Sequence, residues 1–185
     1  MTDDALAEHA ALVSRVDELR PTVDAVARRL IEIYERDGRV YTFGNGGSAA
    51  EAQHLAAELV GRYLRERRPL AATALSADSS VVTCIGNDYS FEDVFERQVR
   101  ASVRDGDMVI AFTTSGRSPN VVRGLSAAGE QGATTVVFAG GDAKPAADHA
   151  DHALIVPSAT TARIQEIHLL LVHLLVEQID AWAAQ

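Results

Sequence analysis

Arg39-Val40-Tyr41-Thr42-Phe43-Gly44-Asn45-Gly46-Gly47-Ser48 is the stretch on which the reading of this chain turns. Its short apolar run predicts a strand over Arg39–Phe43. The run breaks into the glycine-rich loop Gly44–Ser48, and a segment dominated by Ala, Glu, Gln and Leu then predicts a helix through about Leu64. Downstream, Ala71–Leu75 and Asp107–Thr113 are the next apolar runs, and Thr134–Ala139 and Ala153–Val156 supply two more. A turn-rich loop at Ser115–Asn120 leads into a helix through Gln131, and Asp142–Asp148 reads as a short helix. The chain closes on a long helix from about Thr161 to Ala183. Strands alternating with helices imply crossover connections and a mainly parallel sheet covered on both faces. The fold class is therefore α/β: a three-layer α/β/α sandwich with about five strands.

The first 37 residues carry no strand signal. Ala5, Leu6, Leu12, Val13, Val16 and Leu19 recur at three- and four-residue steps as one apolar stripe. Pro21 suits the first turn of a second helix, which carries Val23, Val26, Leu30, Ile31 and Tyr34 toward the stop signal Asp37-Gly38. Residues 1–37 read as a helical arm ahead of an α/β core over 38–185. With 185 residues and no long linker, the chain is expected to be one domain.

Composition narrows the function. Asp and Glu outnumber Lys and Arg by 26 to 17, so the surface repels a nucleic-acid backbone and no nucleic-acid partner is expected. No apolar run reaches the ~20 residues a bilayer span needs, so no membrane partner is expected either. The single Cys84 forms no internal disulfide. The N-terminus MTDDALAEHA lacks the basic-then-apolar order of a signal peptide, and the expected compartment is cytoplasmic. A small anionic substrate remains compatible with an acidic chain, because backbone N–H groups can hold phosphate.

In an open parallel sheet, ligands bind beyond the carboxyl ends of the strands. Two loops stand there, Gly44–Ser48 and Thr113–Ser118. The first is neither a Walker loop nor G-x-G-x-x-G, and by itself it fits a serine-capped turn as well as a phosphate cradle. The second places the hydroxyls of Thr113, Thr114, Ser115 and Ser118 within six residues at a helix start, with Gly116 keeping the approach open. Two such loops in one domain favour phosphate over capping alone. Acid–base candidates lie on two helices. His54 and Glu58 stand at i and i+4 and share a face, which Arg62 continues. Gln165 and His173, eight residues apart in the last helix, differ by about 80° around its axis. His168 lies elsewhere on that helix, as a supporting or merely packed group. His54, Glu58, Gln165 and His173 together suit one divalent transition metal, zinc first. Spacing alone leaves structural roles open for each histidine.

These pieces occur in a recognisable order. Gly44-Asn45-Gly46-Gly47-Ser48, Gln53-His54-x3-Glu58-Leu59-x-Gly61-Arg62, Gly86-Asn87-Asp88, Thr114-Ser115-Gly116-x-Ser118 and Arg163-Ile164-Gln165-Glu166-Ile167-His168 resemble the sugar isomerase (SIS) domain family. His54-x3-Glu58 joined to Arg-Ile-Gln-Glu-x-His, with His173 five residues beyond, resembles its phosphoheptose branch. The resemblance covers nearly the whole chain, and it implies an aldose–ketose isomerisation. The reaction would convert D-sedoheptulose 7-phosphate to D-glycero-D-manno-heptose 7-phosphate through an enediolate. It assigns Glu58 as base and His173 as acid, with zinc on His54, Glu58, Gln165 and His173. It assigns phosphate contacts to Ser48, Thr113, Thr114, Ser115 and Ser118, and sugar contacts to Asn45, Gly46, Gly47, Glu58, Arg62, Asn87, Asp88 and Gln165. Ala49 and Ala162 depart from relatives that carry a histidine and an acidic residue there.

The resemblance also implies a homotetramer. Leu12, Val16, Leu19, Val26 and Leu30 in the arm, and Leu170, Leu171, Leu174 and Leu175 in the last helix, are expected as exposed stripes that pack across a four-subunit centre. On that arrangement Glu58 of one subunit meets His173 of its neighbour. The alternative is that both helices cover one chain's own sheet. Two rival functions share the domain: a non-catalytic binding module of the kind that associates with a replication initiator, and an isomerase of another sugar phosphate. Retention of Glu58, Gln165 and His173 together favours the heptose enzyme.

Overall fold

Three strands whose residues are all buried form the centre of the molecule: β1 (Val40–Gly44), β3 (Met108–Thr113) and β4 (Thr134–Gly140). Burial on both faces is what their unbroken apolar runs demand of a parallel sheet. The short β2 (Ala72–Ala74) and β5 (His152–Val156) form the edges. Every pairing is parallel and the order is β2-β1-β3-β4-β5. The computed structural model describes residues 2–185.

Alternate residues of the strands feed two cores. Met108, Ile110 and Phe112 face a core shared with the first three helices and the last: α1 (Thr2–Val13), α2 (Arg20–Glu35), α3 (Gly47–Val60) and α7 (Thr161–Ala183). Val109 and Ala111 face α4 (Ser79–Asp88), α5 (Glu96–Ser102) and α6 (Pro119–Glu130). The expected three-layer sandwich of five strands is present, and α2, α3 and α7 fall at or near their expected places.

Several boundaries differ. The expected stripe over residues 5–19 is not one face. α1 ends at Val13 and a single 3-10 turn, Val16–Glu18, follows. Leu12 and Val16 are buried, while Leu6 and Val13 are exposed. The arm and the last helix also do not present open apolar stripes. Val26, Leu30, Leu171 and Leu175 are buried in the same core, with Leu19, Leu170 and Leu174 packed at its margin. Both elements cover their own chain's sheet, so the stripes give no reason for an oligomer. α3 stops at Val60, where Gly61 caps it, rather than running through Leu64.

Candidate active site

Sheet order 2-1-3-4-5 reverses direction between β1 and β3, the switch point at which open α/β sheets hold ligands. A cavity of about 220 Å³ opens there. Asn45, Gly47 and Ser48 line it from the loop after β1, and Thr113, Thr114, Ser115 and Ser118 from the loop after β3. Thr161 and Gln165 of α7 close the third side. The two loops are tied by a reciprocal amide pair. Asn45 Nδ2 donates to Asn120 Oδ1, and Asn120 Nδ2 donates to Asn45 Oδ1, both at 2.9 Å. The sequence reading passed over Asn120; its position one residue inside α6, facing the first loop, was the available signal.

The starts of α3, α6 and α7 meet at this cavity. Each helix start carries a fraction of positive charge and unsatisfied N–H groups, so three of them favour an anion without a cationic side chain in the lining. The serine-cap alternative is corrected. Gly46 is the N-cap of α3, with Ser48 inside the first turn, and Ser118, the N-cap of α6, makes no side-chain cap hydrogen bond. These hydroxyls are not used up in capping. Thr113 and Ser115 differ, since Thr113 Oγ1 accepts from Gly116 N–H and Ser115 Oγ from Arg117 N–H, both at 3.2 Å, and so shape the loop. Gly116 sits at φ +69°, and a Cβ there would collide with the Ala143 backbone. Gly47 is less constrained, because a Cβ there would meet only the Gln165 amide, the movable end of a flexible side chain.

α3 and α7 run together away from the cavity, and along them lies a second cluster. His54 Nε2 is 3.2 Å from Glu58 Oε1, as the i,i+4 spacing required. His173 Nε2 is 3.2 Å from His54 Nε2 and 3.7 Å from Glu58 Oε1. Two donors about 2 Å from one tetrahedral ion stand roughly 3.3 Å apart, so these edges suit a single metal. Glu58 Oε2 is buried without a hydrogen-bond partner. All three residues belong to one chain, which overturns the expectation that Glu58 meets His173 across a subunit boundary. Gln165 is not part of the triangle. It stands at the cavity end of α7, some 12 Å of helix rise before His173.

Beyond Gly61 the chain turns back over the cluster, and Tyr63, absent from the sequence reading, stacks on His173 at 5.5 Å. Arg67 and Asp180 fasten this return as a fully buried ion pair at 2.8 Å. Asp180 also accepts from Leu64 N–H and Arg65 N–H, while Arg67 Nη2 donates to the Glu58 carbonyl at 2.6 Å. Burial alone would raise the Asp180 carboxyl, but the hydrogen bonds from Arg65, Arg67 and Leu64 outweigh it and hold the group below the usual aspartate range. Arg62 does not continue the His54–Glu58 face. It lies outside the helix, exposed, with only a distant approach to Glu66. Asn87 and Asp88 end α4 and are exposed, pairing with each other rather than lining the cavity. Gly46 stands at the head of α3 and outside the lining.

The comparisons with known proteins agree with this geometry. A family model for the SIS domain matches residues 6–140. The phosphoheptose isomerase of Aquifex aeolicus (strain VF5) is 55% identical over 146 residues, covering 78% of this chain and 76% of that protein. That of Paramagnetospirillum magneticum (strain ATCC 700264 / AMB-1) is 45% identical over 183 residues, 98% of this chain and 95% of that one. The solved structure of the Neisseria gonorrhoeae phosphoheptose isomerase superposes with a TM-score of 0.92 at 38% identity, covering 97% of both chains. A cavity at the sheet's switch point, a Glu/His cluster on the two helices leaving it, and relatives matched over nearly their full length place this chain in the phosphoheptose isomerase family of SIS-domain proteins.

Proposed function

We propose that the chain interconverts D-sedoheptulose 7-phosphate and D-glycero-D-manno-heptose 7-phosphate. The observation that carries this reading is the uncharged cavity at three helix starts, connected by α3 and α7 to a carboxylate and an imidazole 3.7 Å apart. The phosphate sits on Ser48, Thr114, Ser115 and Ser118, and the sugar extends along the α3–α7 seam past Gln165. Aldose–ketose exchange removes a proton from the carbon beside the carbonyl and returns one to its neighbour. Glu58 removes the first proton; its Oε2 accepts no hydrogen bond among the described residues, so that oxygen is not neutralised by a donor. His173, held flat against Tyr63, protonates the enediolate and shuttles the hydroxyl proton.

Zinc is the metal that two imidazoles and a carboxylate suit best, and His54, Glu58 and His173 would hold it. When bound it supplies Lewis acidity toward substrate oxygens. Gln165, the fourth residue of the expected set, lines the cavity instead and stands outside this triangle. Chelation should abolish activity, and added zinc should restore it; activity that survives exhaustive chelation removes the metal from the proposal.

A homotetramer completes the site in this reading. Arg62, Asn87 and Asp88 stand outside the cavity of their own chain, and Leu64, Tyr89 and Phe91 beside them in sequence are exposed. A second copy would bring those polar groups to a neighbour's sugar. Light scattering showing a fully active monomer would exclude this arrangement. The phosphate assignment has its own test. Ser115→Ala with Ser118→Ala removes two hydrogen bonds to a charged group, which should raise KM at least ~10-fold. An unchanged KM would move the phosphate elsewhere.

A further inference from the structure

Among the buried ionisable groups that the mechanism leaves unused are Glu51 on α3 and His168 on α7. Glu51 Oε2 faces His168 Nδ1 at 3.5 Å, and neither Glu51 oxygen nor His168 Nδ1 has a hydrogen-bond partner. The opposite ring nitrogen settles the tautomer. His168 Nε2 lies 3.2 Å from the Ala139 carbonyl oxygen, which only accepts, so Nε2 carries hydrogen. A neutral ring then turns the Nδ1 lone pair toward a carboxylate, leaving two acceptors face to face in the core. The flanking rings of Phe112 and Phe138 stand T-shaped to His168, 6.1 and 5.9 Å away, and offer no polar relief. One more proton removes the conflict, either on Nδ1 or on the carboxyl.

We propose that Glu51 and His168 hold one shared proton and act as a positioning pair, locking α3 against α7 so that His173 meets His54 and Glu58. The pair is placed for that role on both helices. Glu51 precedes Glu58 by seven residues, two turns, and so lies on nearly the same face; His168 stands between Gln165 and His173. The triangle beyond it has edges of only 3.2 to 3.7 Å, so a small slip along this seam spoils it.

The test separates the pair from simple packing. In the metal-free wild type, 15N chemical shifts should show His168 Nδ1 protonated or strongly hydrogen-bonded. A free, pyridine-like Nδ1 overturns the proposal. Glu51→Gln keeps the volume and offers an N–H to Nδ1, whereas Glu51→Met fills the space with no hydrogen-bonding group. The Gln variant should keep kcat within about threefold, while the Met variant loses tenfold or more with KM little changed, as expected for a misplaced proton-transfer pair. Cobalt bound at the triangle should keep tetrahedral absorption bands in Glu51→Gln and lose them in Glu51→Met. Equal behaviour of the two variants, whether both active or both impaired, overturns the shared proton. The kinetic and cobalt arms rest on the proposed isomerase and metal readings; the NMR arm does not, so failure of those readings is seen separately in the wild type.

Discussion

Glu58→Gln and His173→Ala should each lower kcat by at least ~10²-fold, the usual loss when a proton-transfer group is removed. Gln matches Glu in shape but is too weak a base to take a carbon-bound proton. The variant keeps the Arg67 hydrogen bond, which goes to the residue 58 backbone carbonyl rather than the side chain, so the helix end stays fastened. His173 is a third exposed, and its loss leaves Tyr63 without a stacking partner but opens no core cavity. KM should change far less than kcat in both, since the phosphate loops lie at the other end of α3 and α7. Exchange of solvent hydrogen into the carbon beside the carbonyl checks the role of Glu58 directly; wild-type exchange rates in Glu58→Gln would remove it as the base. Because Glu58 and His173 meet within one chain, mixing the two variants should recover nothing. Recovery would show that the pair acts across subunits after all.

What the sequence disclosed follows from which physical rules act locally. The central strands were legible because burial on both faces leaves an unbroken apolar run, as in Met108–Thr113 and Thr134–Gly140. α7 was legible because a 23-residue helix repeats its pattern many times. The stretch between β2 and β3 gave no such signal, and α4 and α5 went unread there. They are short, and α4 is announced only by its cap, Asp78 accepting from Ser80 and Val81 N–H. The end of α3 was misplaced because Tyr63 and Leu64 prolong an apolar rhythm that Gly61 has already stopped. The arm misled for a related reason. A stripe such as Leu12, Val16 and Leu19 shows that a helix must be covered, not by what.

The site divides the same way. Spacing on single helices brought His54 to Glu58, and turn chemistry identified both cavity loops. Contacts between distant segments were invisible without the fold: Asn45 with Asn120, Tyr63 with His173, Glu51 with His168. Arg62 shows the limit of extrapolating a helical face beyond a glycine.

Asp180→Ala should destabilise the protein by about 3–5 kcal/mol, the cost typical of stripping one partner from a buried ion pair. Arg67 would keep its charge with no exposure to water and no carboxylate, and the Leu64 and Arg65 N–H groups would lose their acceptor. For a chain of this size that corresponds to a fall in Tm of roughly 6–20 °C. Replacing both partners, as in Arg67→Met with Asp180→Leu, should cost much less than the two single changes summed, because no charge is then stranded. The pair also carries a pH signature. Asp180 titrates below its unfolded counterpart when folded, so its contribution is complete above the ordinary aspartate range and is lost as pH falls through the lower folded value. The wild type should therefore lose stability in acid by more than the double variant does, measured by denaturant midpoints across that range. Activity should fall along with stability in the single variant even where it remains folded, since Arg67 holds the carbonyl of Glu58 and the Asp180 anchor holds the loop that carries Tyr63 onto His173. A single Asp180→Ala variant within about 1 kcal/mol of wild type would show that water or a rearranged loop compensates Arg67 and that this return segment is not what fixes the catalytic end of α3.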